Sequence, residues 1–390
     1  MRVVIAGGGT GGHLFPGLAV ARALKARLPA SQVSFAGTAA GIEARVIPST
    51  EFELDLIRSA GLKGKSLLAR ARGFALVPLS AVDAWRLLSR RRPDVVIGVG
   101  GYSSGPVVAA AALRRIPTMV LEQNVVPGLT NRLLARFVGR AAVTYDASLK
   151  YFGAKAFVSG NPVRREFLEV RGDPSDDAAL NASPVRVLIF GGSQGAHALN
   201  MAMVDAAPTL ADAGDTIDLV CQTGTRDFDV VRAAFERHGV RGRVERFIDA
   251  MDSEMRAAGL VVSRAGATTL AEVTASGRPA ILIPLPTATD DHQRHNARAL
   301  EDAGAAELIE QSNLTGDRLA DRIIALAGDR ALRLRMSAAA RQLAKPRAAD
   351  EIVDALIELQ VAGRPPSRRL PRDGQNRSDG DRGAAWPDNR

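Results

Sequence analysis

The sequence predicts an α/β chain of two parallel-sheet domains, and three observations carry the prediction. The chain opens with an apolar run at residues 3–6, a glycine-rich turn at 7–16 and a helically spaced apolar stretch at 18–24. The same succession restarts at 185–190, with its turn at 191–196. Between and after these, short apolar runs alternate with helical patterns, which is the signature of βαβ units around parallel sheets. A chain of 390 residues exceeds the usual size of one domain, and 46% hydrophobic with 24% charged residues is an ordinary globular balance. One cysteine, Cys221, can make neither an internal disulfide nor a Cys-based metal cluster, so a reducing compartment is expected. There is no signal-peptide pattern, and no apolar run approaches the about 20 residues of a membrane-spanning helix.

Taken in order, strands are expected at 3–6, 32–38 and 52–57. The stretch 62–92 differs: it carries Lys63, Lys65, Arg70, Arg72, Arg86, Arg90, Arg91 and Arg92 against one acid, Asp83, with Phe74, Trp85 and several leucines between them. Such a mixture suits an anionic membrane surface, and equally a loop and helix whose apolar face is core. Residues 94–99 form a continuous apolar strand of the buried parallel kind. It enters a second glycine turn, Gly100 to Pro106, and a helix over 107–115 begun by Pro106. A strand at 118–124, a helix at 128–137 and a strand at 141–144 complete the first half. The polar stretch 172–177 reads as a hinge. Strands follow at 185–190, 217–222, 244–248, 260–263 and 280–284, then one helical stretch from 331 to 359. The remainder, 361–390, is basic and without apolar periodicity, and is expected to be disordered.

Two strand–glycine turn–helix units make both halves Rossmann-like, but a glycine turn alone does not say what it binds. A dinucleotide site wants an acid at the end of the second strand; here that strand ends in Gly37-Thr38 and Glu43 falls in the next helix. No Gly-x4-Gly-Lys-Ser/Thr pattern of a phosphate-binding NTPase loop occurs. The second half carries more specific chemistry. Residues 261–272 read as a strand, a small-residue turn and a helix that places Glu272 in its first two turns. A carboxylate there suits a ribose diol or, more blandly, the helix dipole, while the turn amides suit a phosphate. Residues 284–296 gather amide and carboxylate side chains at another helix start, the partners sugar hydroxyls take. Asp290 and Asp291 are adjacent and diverge on a helix, so no metal site is expected; leaving-group charge then falls to helix N-termini and Arg164. The net charge of +9 favours an anionic partner, although arginine-rich composition alone could produce it.

Seven strings in order, GGGTGGHLFPGLAVA (7–21), GVGGYSSGP (98–106), LEQNVVPGLTNR (121–132), SGNPVR (159–164), FGGSQGAHALN (190–200), SRAGATTLAE (263–272) and DHQRHNA (291–297), resemble one family. It is the bacterial UDP-N-acetylglucosamine–N-acetylmuramyl-(pentapeptide) pyrophosphoryl-undecaprenol N-acetylglucosamine transferases, the MurG family of glycosyltransferase family 28. The resemblance spans residues 1 to about 360. It implies a glycosyltransferase-B fold, two Rossmann-like domains facing across a cleft, with an acceptor domain over 1–162 and a donor domain over 163–344. A helix at about 345–360 would pack back on the first domain. It further implies inverting transfer of GlcNAc from UDP-GlcNAc to the C4 hydroxyl of the undecaprenyl-diphosphate-linked muramyl pentapeptide, without cofactor or metal. By the same resemblance, Ile248 would meet uracil through its backbone, and Glu272 the ribose. Ser193 and the turn Ala267, Thr268, Thr269 and Leu270 would hold the diphosphate with Arg164 nearby. Gln293 would recognise sugar hydroxyls, and Thr10, Gly11, Gly12 and Asn124 would complete the cleft. His292 stands where some relatives carry glutamine. The family docks on the cytoplasmic face of the inner membrane, which favours the membrane reading of 62–92 with Phe74 and Trp85 inserting.

His13, at the mouth of the first turn, has the intrinsic pKa range of a general base for the attacking hydroxyl; a histidine there can also serve the loop structurally. The rival enzyme on the same architecture is a soluble UDP-GlcNAc 2-epimerase, which has no use for the basic amphipathic stretch. A nucleic-acid-binding protein is disfavoured by 4% aromatic residues and the absence of any recognition motif.

Overall fold

The computed structural model describes residues 1–59, 67–168, 174–192, 195–288 and 291–363; within the helix Leu67–Arg91 the side chains of residues 67–77 are not among those described. Among the described residues, thirteen strands form two sheets. The first contains β1 (Arg2–Gly7), β2 (Gln32–Gly37), β3 (Glu53–Leu56), β4 (Val95–Gly100), β5 (Thr118–Glu122), β6 (Arg140–Val143) and β7 (Ala156–Val158), in the order β3-β2-β1-β4-β5-β6-β7. The second contains β8 (Val185–Phe190), β9 (Ile217–Gln222), β10 (Gly242–Glu245), β11 (Leu260–Ser263), β12 (Ala280–Leu282) and β13 (Ala306–Leu308), in the order β10-β9-β8-β11-β12-β13. Every pairing is parallel. The order reverses beside β1 and again beside β8, the strands that open the two halves of the chain.

Alternation of side chains across a strand explains why both faces must be covered. Val3, Ile5, Val95, Ile97 and Met119 face one core, shared with Leu14, Leu18 and Leu24 of the helix Gly11–Arg27. Val4, Ala6, Val96 and Val120 face the other, against Leu87 and Leu88 of Leu67–Arg91 and Val107 and Val108 of Ser104–Leu113. The second sheet repeats the pattern, Val187 and Ile189 facing one core and Leu188 and Phe190 the other. Cys221 is buried in β9, its thiol pushed up to about 12 by burial.

The observed elements depart from the sequence expectation in several places. β7 and β13, three residues each, leave too short a periodic trace to read. The helix expected at 107–115 begins earlier, at Ser104, and the one expected at 128–137 is confined to Leu129–Leu134. The expected strand 244–248 is instead Gly242–Glu245. The single helical stretch expected from 331 to 359 is two helices, Arg330–Leu343 and Ala348–Gly363, interrupted where Pro346 removes an N–H and crowds the preceding turn. The last helix runs three residues beyond the boundary expected for the tail; residues 364–390 lie outside the described residues. Ile352, Val353 and Leu356 of this helix enter the core against the opening helix, and Arg27–Asp354 and Arg140–Glu358 ion pairs flank it.

Candidate active site

The carboxyl ends of β1, β4, β8, β9 and β11 open on one cavity of about 1850 Å³, the position at which parallel sheets bind ligands. Two helix N-termini meet inside it. Gly11–Arg27 begins after Thr10 and Ala267–Ala275 begins after Gly266, and the Thr268 hydroxyl donates to the Gly12 carbonyl at 3.1 Å. Two sets of unpaired backbone N–H groups and two positive dipole ends therefore converge, the arrangement that attracts a diphosphate. Ala267, Thr268 and Thr269 line the cavity; Leu270 does not. Its N–H donates to the Gly266 carbonyl at 2.9 Å and its side chain is core. Physically, the fourth helical amide is the first to close an i→i−4 bond.

The opening turn is braced from below by Glu43, which is 1% exposed. Its carboxylate accepts the Gly9 N–H at 2.7 Å, the Thr38 N–H at 2.8 Å and the Thr38 hydroxyl at 3.1 Å. Gly37 and Gly41 leave it room, since a Cβ at either would strike the carboxylate chain. The acid absent from the end of the second strand thus arrives from the next helix and binds the loop.

His13 is half-buried beside this loop, with Nδ1 3.2 Å from the Thr10 hydroxyl and a further hydrogen bond to the Gly8 carbonyl. The imidazole lies against Gly100, whose φ is +95° and where a Cβ would come within 2.6 Å of the ring. Burial lowers its pKa below the ordinary 6.5; the Gly8 bond opposes this, a nearby His292 adds to it, and Glu43 opposes it.

On the second half, Glu272 is buried and accepts from Arg164 at 3.0 Å. The guanidinium lies 5.2 Å from the Phe15 ring and 4.7 Å from that of Phe167. Burial raises the Glu272 pKa and Arg164 holds it down. Gln222 spans the floor, accepting from the Ile248 N–H at 2.9 Å and donating to the Gly192 carbonyl at 3.1 Å. Gln293 accepts from the Leu285 N–H at 3.0 Å. Arg264 donates to the carbonyls of Ile283 and Pro284 and to Gln311, which ties the loop before Gln293 to the turn after β11. Ser193 lies outside the described residues.

Asn124 and Asn296 join the halves. Asn296, fully buried, donates to the Asn124 side-chain oxygen at 3.1 Å and accepts from the Val125 N–H at 3.0 Å. Asn124 in turn donates twice to Glu122, which also accepts from Gly128 and Asn131. Burial raises the Glu122 pKa against those bonds. The sequence reading missed Glu43, Glu122, Gln222 and Asn296 as site-builders, although Glu122 and Asn296 stand inside quoted motifs. Among the described residues no group of three or more His, Cys, Asp or Glu side chains is placed to hold a metal ion.

Away from the cleft, Trp85 is half-exposed, with the Arg114 guanidinium 5.0 Å from its ring. Phe74 lies on the same helix, its side chain outside those described. No helix among the described residues is long and apolar enough to cross a membrane.

Two parallel-sheet α/β domains with their strand ends turned to one cleft define a glycosyltransferase-B fold. The family 28 glycosyltransferase N-terminal domain matches residues 3–143 and the family 28 C-terminal domain residues 186–352. The chain belongs to glycosyltransferase family 28. It is 48% identical over 360 residues, 92% of this chain and 93% of the relative, to the UDP-N-acetylglucosamine–N-acetylmuramyl-(pentapeptide) pyrophosphoryl-undecaprenol N-acetylglucosamine transferase of Anaeromyxobacter sp. (strain K). The crystal structure of Acinetobacter baumannii MurG matches with a TM-score of 0.73 and 31% identity, covering 92% of this chain and 99% of that one. The UDP-GlcNAc 2-epimerase of Neisseria meningitidis shares the fold alone, at 14% identity and a TM-score of 0.64 over 92% of this chain and all of that one.

Proposed function

We propose that this chain transfers GlcNAc from UDP-GlcNAc to the C4 hydroxyl of undecaprenyl-diphosphate-linked N-acetylmuramyl pentapeptide, the step that makes the lipid-linked disaccharide of peptidoglycan. Likeness to the named transferases along the whole cleft-forming length carries the reading. The acceptor domain spans 1–162, the donor domain 163–344, and the last helix belongs to the acceptor side.

The muramyl C4 oxygen forms its bond to C1 of GlcNAc as the bond from C1 to the β-phosphate oxygen breaks. UDP leaves with the bonding pair, and the anomeric centre inverts. His13 takes the hydroxyl proton. The Thr10 hydroxyl sits 3.2 Å from Nδ1 at the mouth of the site, where the acceptor hydroxyl approaches the ring. Charge developing on UDP is met by the N-termini of Ala267–Ala275 and Gly11–Arg27, with Gly11, Gly12 and Arg164 around them. Glu272 holds the ribose, sharing its carboxylate with Arg164. Uracil reads Ile248 at its carbonyl, because the N–H is bonded to Gln222. Gln293, its oxygen bonded to Leu285, offers its amide N–H groups to the sugar, and Asn124 closes the acceptor side. Docking on anionic lipid of the inner membrane's cytoplasmic face falls to Trp85, Phe74 and their arginines.

Incubation with UDP-[14C]GlcNAc and a lipid-linked muramyl acceptor is expected to carry label into the lipid fraction with release of UDP. Formation of a 2-epimer without use of acceptor is the outcome that favours the epimerase reading.

A further inference from the structure

The cavity does not end at the glycine turns. It continues between the helices Ser104–Leu113 and Leu129–Leu134, where Pro106, Ala109, Ala110, Leu113, Leu129 and Leu133 line it. The helices approach closely at the inner end: a Cβ on Gly105 would sit 3.4 Å from a Thr130 methyl. At ~1.5 Å rise per residue the first helix gives the groove a wall of about 15 Å. Its inner end meets Gly100, Gly101 and His13; its outer end is Leu113, 80% exposed, with Leu133 and Trp85 also exposed. Neither helix contains an acidic residue, and Arg114 stands at the outer end over the Trp85 ring. A passage with backbone amides at one end and hydrocarbon side chains along its length matches one chemistry, an anionic head group carrying an apolar chain.

We propose that this groove binds the first isoprenoid units of the acceptor next to its diphosphate, leading the chain from the exposed apolar rim to the cleft. The small side chains of Ala109 and Ala110 leave room for methyl branches. The inference rests on the transferase reading for the identity of the acceptor. It assigns to these two helices a substrate-binding role separate from attachment to lipid.

Two measurements test it. A prenyl-diphosphate acceptor bearing a photoreactive diazirine in its second isoprene unit is irradiated with the unmodified full chain, and the adducts are mapped by mass spectrometry. Adducts within residues 104–113 or 129–134 are expected; adducts confined to other segments overturn the groove. In the second, Ala109→Phe is assayed with a short-chain, water-soluble lipid-linked acceptor, so that vesicle binding plays no part. The acceptor KM is expected to rise at least about tenfold, roughly 1.4 kcal/mol, with the UDP-GlcNAc KM unchanged. An unchanged acceptor KM overturns the proposal. If the unmodified chain transfers no GlcNAc to that acceptor, the transferase reading fails, while the adduct map still decides the groove.

Discussion

Arg164 donates to Glu272 at 3.0 Å, and the two residues are 108 positions apart. Phe15 of the opening helix lies against the same guanidinium, so one side chain touches the first half, the connection and the helix Ala267–Ala275 at once. Glu272→Gln keeps the shape but removes the charge that Arg164 meets and that the proposed function gives to the ribose hydroxyls. A hydrogen bond to a charged group is worth about 1.5–3 kcal/mol, so the UDP-GlcNAc KM should rise roughly 10- to 100-fold with a much smaller change in kcat. Arg164→Met removes the cation that opposes burial of Glu272, whose carboxyl then moves further up. UDP binding should fail at higher pH than in the parent as the medium is acidified, which titration calorimetry across the acidic-to-neutral range would show.

The His13 pKa is displaced downward, chiefly by burial, so the ring stays neutral through the neutral range and gains its proton only as pH falls below 6.5. A general base in that state gives a kcat/KM profile whose acid limb lies below 6.5. His292 contributes to the downward displacement, so His292→Gln should move the acid limb upward. His13→Gln should lower kcat about 10²- to 10⁴-fold while leaving UDP affinity near that of the parent. A profile unchanged by either substitution would show that this imidazole supports the loop and takes no proton.

Much of this site is legible in the sequence because strand–turn–helix units announce themselves locally. The turns at 7–16, 100–106 and 263–272 each end an apolar strand and start a helix, and His13 and Glu272 follow from their places in them. What the sequence does not disclose is pairing across distance. Glu43 was read only as absent from a ribose position, since nothing local shows its carboxylate folding back under Gly9. Asn296 reads as one more polar residue at a helix start until its partner Asn124, 172 positions away, is known.

Asn296 is buried between the halves and bonded to Asn124 and Val125. Asn296→Leu fills similar volume and takes the partner from the Val125 N–H and from the Asn124 side-chain oxygen, at about 1–3 kcal/mol for each buried group. Opening the cleft restores water to both. The variant should therefore populate an open arrangement, seen as a larger radius of gyration in solution scattering, with KM rising for both substrates. Equal radii for parent and variant would remove the contact from any role in closure.

Trp85 stands half-exposed with Arg114 stacked on it, an apolar ring beside a cation. Trp85→Ser should weaken binding to vesicles containing anionic lipid, and added salt should weaken the parent further, since the screening length is about 8 Å at physiological ionic strength. Turnover on a water-soluble acceptor should hardly change, because the tryptophan sits at the rim and His13 does not depend on it.

Glu43 offers the sharpest test of whether the first turn belongs to the chemistry or only to the fold. Its carboxylate fixes Gly9 and Thr38, and through Gly9 the loop that carries Thr10 and His13. Glu43→Gln substitutes an amide that can accept at one oxygen only, so one loop N–H loses its partner and an NH2 group meets backbone donors. Stability should fall by about 1–3 kcal/mol, read as a lower unfolding midpoint. If the loop only supported the sheet, kinetics at temperatures where the variant is folded would match the parent. On the proposed mechanism, in which the loop positions the base and the other half holds the donor, kcat should instead drop at least about tenfold, with the UDP-GlcNAc KM unchanged. Glu43→Asp, which retains both acceptors on a shorter arm, should recover part of the lost kcat; a loss of stability without any loss of kcat would return Glu43 to a purely architectural role.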